Sequence, residues 1–136
     1  MSINPYQAPT SNVSSNAYEL APNLWNPDAA GVWSIFLTPI FGSILISKNW
    51  KALGELERHR SSNVWLGVSV LLVITSTFAP FLLFPYIIVW YFSQNRPQTK
   101  YLKEKYDGVY PKNGWLKPIL IVLAVFIAFL FLSVLL

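Results

Sequence analysis

Three long apolar runs, at residues 29–47, about 64–92 and about 115–136, organise this chain, with two short polar stretches between them. The first holds 19 residues without a charge, about 28 Å of helix and so close to the thickness of a bilayer core. A start signal precedes it: Asn26 is suited to capping free N–H groups, Pro27 to the first helical position, and Asp28 to the positive end of the helix dipole. Trp25, Trp33 and Trp50 stand near the ends of the run, where indole rings favour a membrane interface. Pro39 predicts a kink inside it.

The second run is 29 residues long, whereas one straight span needs roughly 20 and two need about 40. Pro80 and Pro85 interrupt it, so two readings fit: one long, tilted, kinked helix, or a shallow re-entrant hairpin. The single helix is preferred, because a broken backbone in lipid needs protein cover that a small chain is poorly able to provide. The third run is apolar throughout and continues to Leu136. The expected fold is therefore an all-α integral membrane bundle of about three spans, the middle one long and Pro-kinked.

The polar segments complete that plan. Residues 1–28 carry Pro5, Pro9, Pro22 and Pro27 among Ser, Asn, Ala and Thr, the composition of a flexible tail ahead of a helical domain at 29–136. In residues 48–63, Trp50, Leu53 and Leu56 recur every third position, which predicts a short amphipathic helix on the membrane surface. Residues 93–117 are expected to form a basic loop. Its Arg96, Lys100, Lys103, Lys105, Lys112 and Lys117, with Tyr101, Tyr106 and Tyr110 between them, are candidates for contact with anionic lipid.

Composition narrows the function classes. Of the 136 residues, 54% are hydrophobic and only 12% charged, too apolar for so short a soluble domain to hide. The net charge of +4 comes from basic residues that flank apolar runs, a pattern that points to lipid and membrane orientation rather than nucleic acid. Three spans put four Lys or Arg in the first loop and six in the second, so the second loop and the N-terminus are expected on the cytoplasmic side. With no cysteine and one histidine, thiolate and multi-histidine metal sites are excluded, and no cofactor is expected.

The opening Asn4-Pro5-Tyr6-Gln7-Ala8-Pro9 resembles the start of small bacterial inner-membrane proteins and the tail of some RDD-type membrane proteins. The resemblance covers six residues, and the Arg and Asp spans that name the RDD family do not occur here. It implies a multi-pass protein of a bacterial inner membrane and no particular activity.

The candidate contact surface is Ala30, Ser34, Thr38 and Gly42, small residues spaced by four along the first run. Such a ridge lets another helix approach closely, whether from this chain, a second copy or another membrane protein, and Ala124 and Ala128 on the last run offer an opposing face. Thr75, Ser76 and Thr77, just before Pro80, are expected to bond carbonyls of their own turn. No Asp, Glu, Lys, Arg or His lies inside the runs, Lys117 standing at the edge of the last, which argues against an ion-coupled carrier. The chain is therefore expected to act through helix contacts, as an accessory, regulatory or immunity-type subunit. A homo-oligomeric passive channel is an alternative. A membrane enzyme using Glu55 and His59 is another, although both belong to i,i+4 charge pairs typical of a solvated helical face.

Overall fold

The computed structural model describes residues 20–135, and those residues are helical without strands. Six α-helices follow one another: α1 (Pro27–Leu37), α2 (Pro39–Ala52), α3 (Leu56–Thr75), α4 (Leu83–Trp90), α5 (Arg96–Tyr106) and α6 (Leu116–Leu135). A 3₁₀ turn at Pro80–Leu82 leads into α4, and a π-helical turn at Tyr91–Asn95 joins α4 to α5. Among the described residues, α6 alone is long and apolar enough to cross a membrane by itself.

The first apolar run is not one helix. The ring of Pro39 takes away a donor and clashes with the preceding turn, and it disfavours helical backbone at Thr38. Thr38 accordingly takes φ 81°, ψ 153°, a region almost confined to glycine, and the chain reverses. α2 then folds back along α1. At the open end, the Trp25 N–H donates to Asn49 Oδ1 (2.9 Å), and Asn49 Nδ2 donates to the Trp25 carbonyl (2.7 Å). In a straight helix those residues would stand about 36 Å apart. Gly42 makes the close approach possible: a Cβ there would run into the Ser34 hydroxyl and come within 2.6 Å of the Trp90 ring. The expected kink is thus a full reversal.

The second run reverses too. After Thr75 a turn and the 3₁₀ segment lead into α4, which returns along α3. The two arms are tied in sequence by Ser69 to Tyr86 (2.7 Å), Ser62 to Gln94 (2.8 Å) and Glu55 to Tyr101 (2.6 Å). The preferred single kinked helix over 64–92 is corrected to two helices that fold back on each other across a turn, and the expected loop at 93–117 contains α5. Of the expected surface helix at 48–63, only the turn at Leu53–Glu55 is non-helical; the rest belongs to the ends of α2 and α3. Gly54 (φ 77°) closes α2 with paired capping bonds, Glu55 N–H to the Trp50 carbonyl (3.0 Å) and Gly54 N–H to that of Lys51 (3.1 Å).

That tight turn lays α3 antiparallel to α2, so both hairpins open at the same end and point their tips the same way. Trp90, fully buried, is the largest side chain in their seam. The outward faces are apolar: Val68, Leu71, Ile74, Phe78, Phe81, Phe84 and Ile88 are all exposed.

Residues 1–19 of the expected tail, with the Asn4–Pro9 motif, lie outside the described residues. Its remainder is packed. Leu24 is fully buried against Leu102 and Tyr110, its N–H donates to the Pro111 carbonyl (3.0 Å), and its carbonyl accepts from Asn113 (2.8 Å). This staple holds the chain before α1 against the segment leading to α6. From there, Trp115 and Val122 touch a cluster of Ala30, Phe41 and Leu45.

The reversal at Thr38 makes a prediction of opposite sign to a kinked helix. In the hairpin, Thr38→Gly relieves positive-φ strain and should raise stability by about 1 kcal/mol, measured by reversible unfolding in mixed micelles. In a helix running through position 38, the same change would lower it by a few tenths of a kcal/mol.

Candidate functional site

The ridge foreseen on the first run is folded in on itself. The break puts Ala30 and Ser34 on α1 and Gly42 on α2, all buried, with Thr38 half-buried at the tip between them. The Ser34 hydroxyl donates to the Ala30 carbonyl (2.7 Å), and Gly42 faces Ser34 and Trp90. These small residues therefore form the inner seam of the first hairpin and meet the second.

Running from that seam toward the open ends is a row of buried polar groups. Trp90 Nε1 donates to Ser43 Oγ (2.7 Å), which lies 3.3 Å from Ser69 Oγ, itself 2.7 Å from the Tyr86 hydroxyl. One turn further, the Ser47 hydroxyl donates to Asn63 Oδ1 (2.6 Å) and lies 2.9 Å from His59 Nδ1. His59 Nδ1 is also 3.0 Å from the Ser47 carbonyl, and its Nε2 is 3.2 Å from Asn63 Nδ2. That pattern suits a ring donating from Nδ1 and accepting at Nε2. Gln98 donates to the Ile46 carbonyl (3.0 Å) and accepts from Asn49 (2.8 Å), which binds both backbone groups of Trp25. Serine, asparagine and glutamine thus stitch α2 to the neighbouring arms, and for the buried ones, Ser43, Ser47, Asn49, Ser69 and Gln98, the bonds satisfy groups that would each cost about 1–3 kcal/mol unpaired, while Asn63 is exposed and His59 half-buried.

Two groups are exceptions among the described residues: the Trp25 indole N–H, buried without a partner, and the Asn95 amide. The Asn95 side chain is fully buried in the π-helical turn beside Gly31, yet neither amide atom has a partner among the described residues.

The Glu55–His59 pair considered for catalysis is drawn into this framework. His59 spends both ring nitrogens on α2 and Asn63, while Glu55 accepts from the Tyr101 hydroxyl (2.6 Å) and lies 4.0 Å from Arg58. Lys105 donates to the Tyr101 oxygen (2.9 Å). Desolvation, and then the hydrogen bond to Glu55, raise the Tyr101 phenol above its ordinary range, so it remains a donor at neutral pH. The bond to Tyr101 raises the Lys105 ammonium in turn. Among the described residues no group of His, Asp and Glu has the spacing of a metal site.

The six basic candidates remain on the surface. Arg96, Lys100, Lys103 and Lys105 belong to α5, Lys112 lies beside the Leu24 staple, and Lys117 is in the first turn of α6; all are exposed. Lys105 lies over the Tyr101 and Tyr106 rings, Lys112 over Tyr110 and Arg96 over Phe92. Lys100 pairs with Glu104 at 3.7 Å on an exposed face, where such a pair is worth little.

Sequence reasoning passed over Ser43, Ser47, Asn49, Gln94 and Gln98, and it took Ser62 for a helix-cap candidate although α3 starts earlier, at Leu56. Their signal is faint: Ser43 and Ser47, like Gln94 and Gln98, are four apart and so share a helix face, but without the two reversals nothing opposes them. Comparisons with family models, curated proteins and solved structures find no match for this chain.

The two asparagines give a paired prediction. Asn49→Leu strands a buried N–H and two carbonyl oxygens and should lower stability by about 3 kcal/mol or more. Asn95→Leu removes two unpaired polar atoms at similar volume and should leave stability unchanged or raise it by about 1 kcal/mol. Unfolding of both variants in mixed micelles decides; an equal loss in both would contradict this count of partners.

Proposed function

We propose that this chain is an integral membrane protein seated from one face of the bilayer, acting without chemistry of its own as an accessory or regulatory subunit. The observation that carries the proposal is the state of α6: a 20-residue helix, apolar but for Lys117 near its start and Ser133 near its end, with none of its spanning stretch buried in the protein. Its surface is thus available to lipid or to another helix.

The seating follows from an inverted distribution of polarity. Nine polar residues are buried beside ten hydrophobic ones, while large apolar side chains cover the outside of both hairpins. Soluble monomers rarely expose apolar surface on this scale. With α2 about 21 Å long and the uncharged part of α3, Ser61–Thr75, about 22 Å, the hairpins reach past the middle of a bilayer core of roughly 30 Å without crossing it. All ten Lys and Arg then lie on one side, at the open ends, together with Leu24. The positive-inside tendency places that side, and the N-terminus, in the cytoplasm of a bacterial cell, and α6 crosses once.

The contact surface is assigned to α6, because the small residues of α1 and α2 are used internally. Val122 faces the protein's own core, and Ala124 and Ala128 offer a small-residue face for close approach. Glu55 and His59, bound into the framework, support a role without catalysis.

Photoreactive residues at Ala124 and Ala128, with Phe126 and Leu130 as controls on the opposite face, test the proposal in native membranes. Adducts to one protein, confined to the two alanine positions, are expected. Lipid adducts alone at all four positions would overturn the subunit reading.

A further inference from the structure

Where the two hairpins open, Trp50, Arg58, Ser61, Ser93, Gln94 and Pro97 line a cleft of about 230 Å³. Several water volumes of about 30 Å³ fit in such a space. Arg58 is the charge on its wall. Its guanidinium carbon lies 4.8 Å from the Trp50 ring and 5.0 Å from the Tyr101 ring, contacts that hold the side chain in place. Yet among the described residues the guanidinium makes no hydrogen bond; the nearest carboxylate, Glu55, is 4.0 Å from Nε. The planar fork of five donors thus lies against two rings, half exposed, with the Glu55 carboxylate paired at 4.0 Å beside Nε and no acceptor at hydrogen-bond distance among the described residues.

The rest of the lining has the same character. Ser61 and Ser93 make no side-chain hydrogen bonds among the described residues, and Gln94 commits only one amide N–H, to the Ser93 carbonyl (3.1 Å). No carboxylate lines the cleft. A donor-rich wall whose charge is Arg58, with its Glu55 partner outside the lining, suits an oxyanion, and the face of the Arg fork turned from Glu55 matches the paired oxygens of a phosphate. Val64, three residues after Ser61 on α3, and Phe92, next to Ser93, present exposed apolar surface. A phosphate held here would leave an attached acyl chain against apolar side chains.

We propose that the Arg58 cleft is a binding site for a phosphate group, carried by a phospholipid headgroup or free in solution. Arg58 supplies the charge and paired N–H donors, Ser61 and Ser93 supply hydroxyls, and Gln94 supplies its free N–H. The site is separate from the exposed basic residues of α5, which lie outside its lining. The lipid source rests on the membrane seating proposed above; the phosphate site itself does not.

The test uses the full chain in a maltoside detergent free of phosphate, with unfolding temperature as the readout. The probes are inorganic phosphate, short-chain phosphatidylglycerol, and diacylglycerol of the same chain length as a control without phosphate. Phosphatidylglycerol should raise the unfolding temperature and diacylglycerol should not. Arg58→Gln should weaken the effect roughly ten-fold or more, as loss of a charge-assisted contact does, and Arg60→Gln should leave it unchanged. Ser61→Leu, which fills the cleft while sparing the Arg58 stack, should also abolish it, so the result does not hang on the folding of Arg58→Gln alone. An equal, Arg58-dependent response to inorganic phosphate would support the site and assign it to the free anion, leaving the membrane seating untouched. No response to either phosphate probe, or equal losses in the Arg58 and Arg60 variants, would overturn the proposal.

Discussion

A helix that breaks away from water must find partners for every backbone N–H and C=O that the break releases, and this fold depends on how that requirement is met. Both reversals occur among apolar residues, at Thr38 and at residues 76–79. Proline removes part of the demand. Pro39 begins α2 and Pro80 begins the 3₁₀ turn, positions where an N–H would have no helical acceptor. Local bonds meet the rest: Phe41 N–H to the Thr38 carbonyl (3.2 Å), and Phe78 and Ala79 N–H to that of Thr75 (2.9 and 3.1 Å). The Thr75 and Ser76 hydroxyls return to carbonyls three or four residues back. A small chain does provide cover for broken helices, using its own turns.

The row of Ser, Asn and Gln between the hairpins follows from the same constraint. In the membrane seating proposed above, lipid would offer apolar packing on every side, so burial of hydrophobic surface would give helices little reason to choose one another over acyl chains. Close approach at Gly42 and paired hydrogen bonds at Ser43, Ser47, Asn49 and Gln98 do provide one. The interior is polar where the arms meet, and the exterior is apolar where lipid would lie. In this account the short, uncharged amides and hydroxyls hold the architecture, while the charged groups gather at the open ends.

Much of the local grammar was legible from the sequence. Asn26 caps α1 as its position before Pro27 and Asp28 implied, accepting from the Asp28 N–H at 3.1 Å. The apolar run at 116–135 is a single helix, and Thr75 and Ser76 bond back to their own turn. The reversals were not legible. Proline in a long apolar segment fits a kink as well as a hairpin, and the deciding factor, whether another element covers the break, is a tertiary matter. Once each run folds back, residues far apart in sequence, such as Trp25 with Asn49 and Ser43 with Trp90, become neighbours. That is why the ridge through Ala30, Ser34 and Gly42 was legible as a close-packing surface but its partner was not, and why the polar row and the Arg58 cleft had no recognisable pattern in the sequence.

The central claim is that both hairpins open on one side of the membrane, and sidedness tests it most directly. The chain has no native cysteine, so Glu57→Cys and Lys103→Cys give a labelling experiment without background. A membrane-impermeant maleimide should modify both positions from the same face, because Glu55 and Tyr101 meet at the shared open end. Labelling of the two from opposite faces would show that residues 64–92 cross the bilayer as one helix, and would contradict the account.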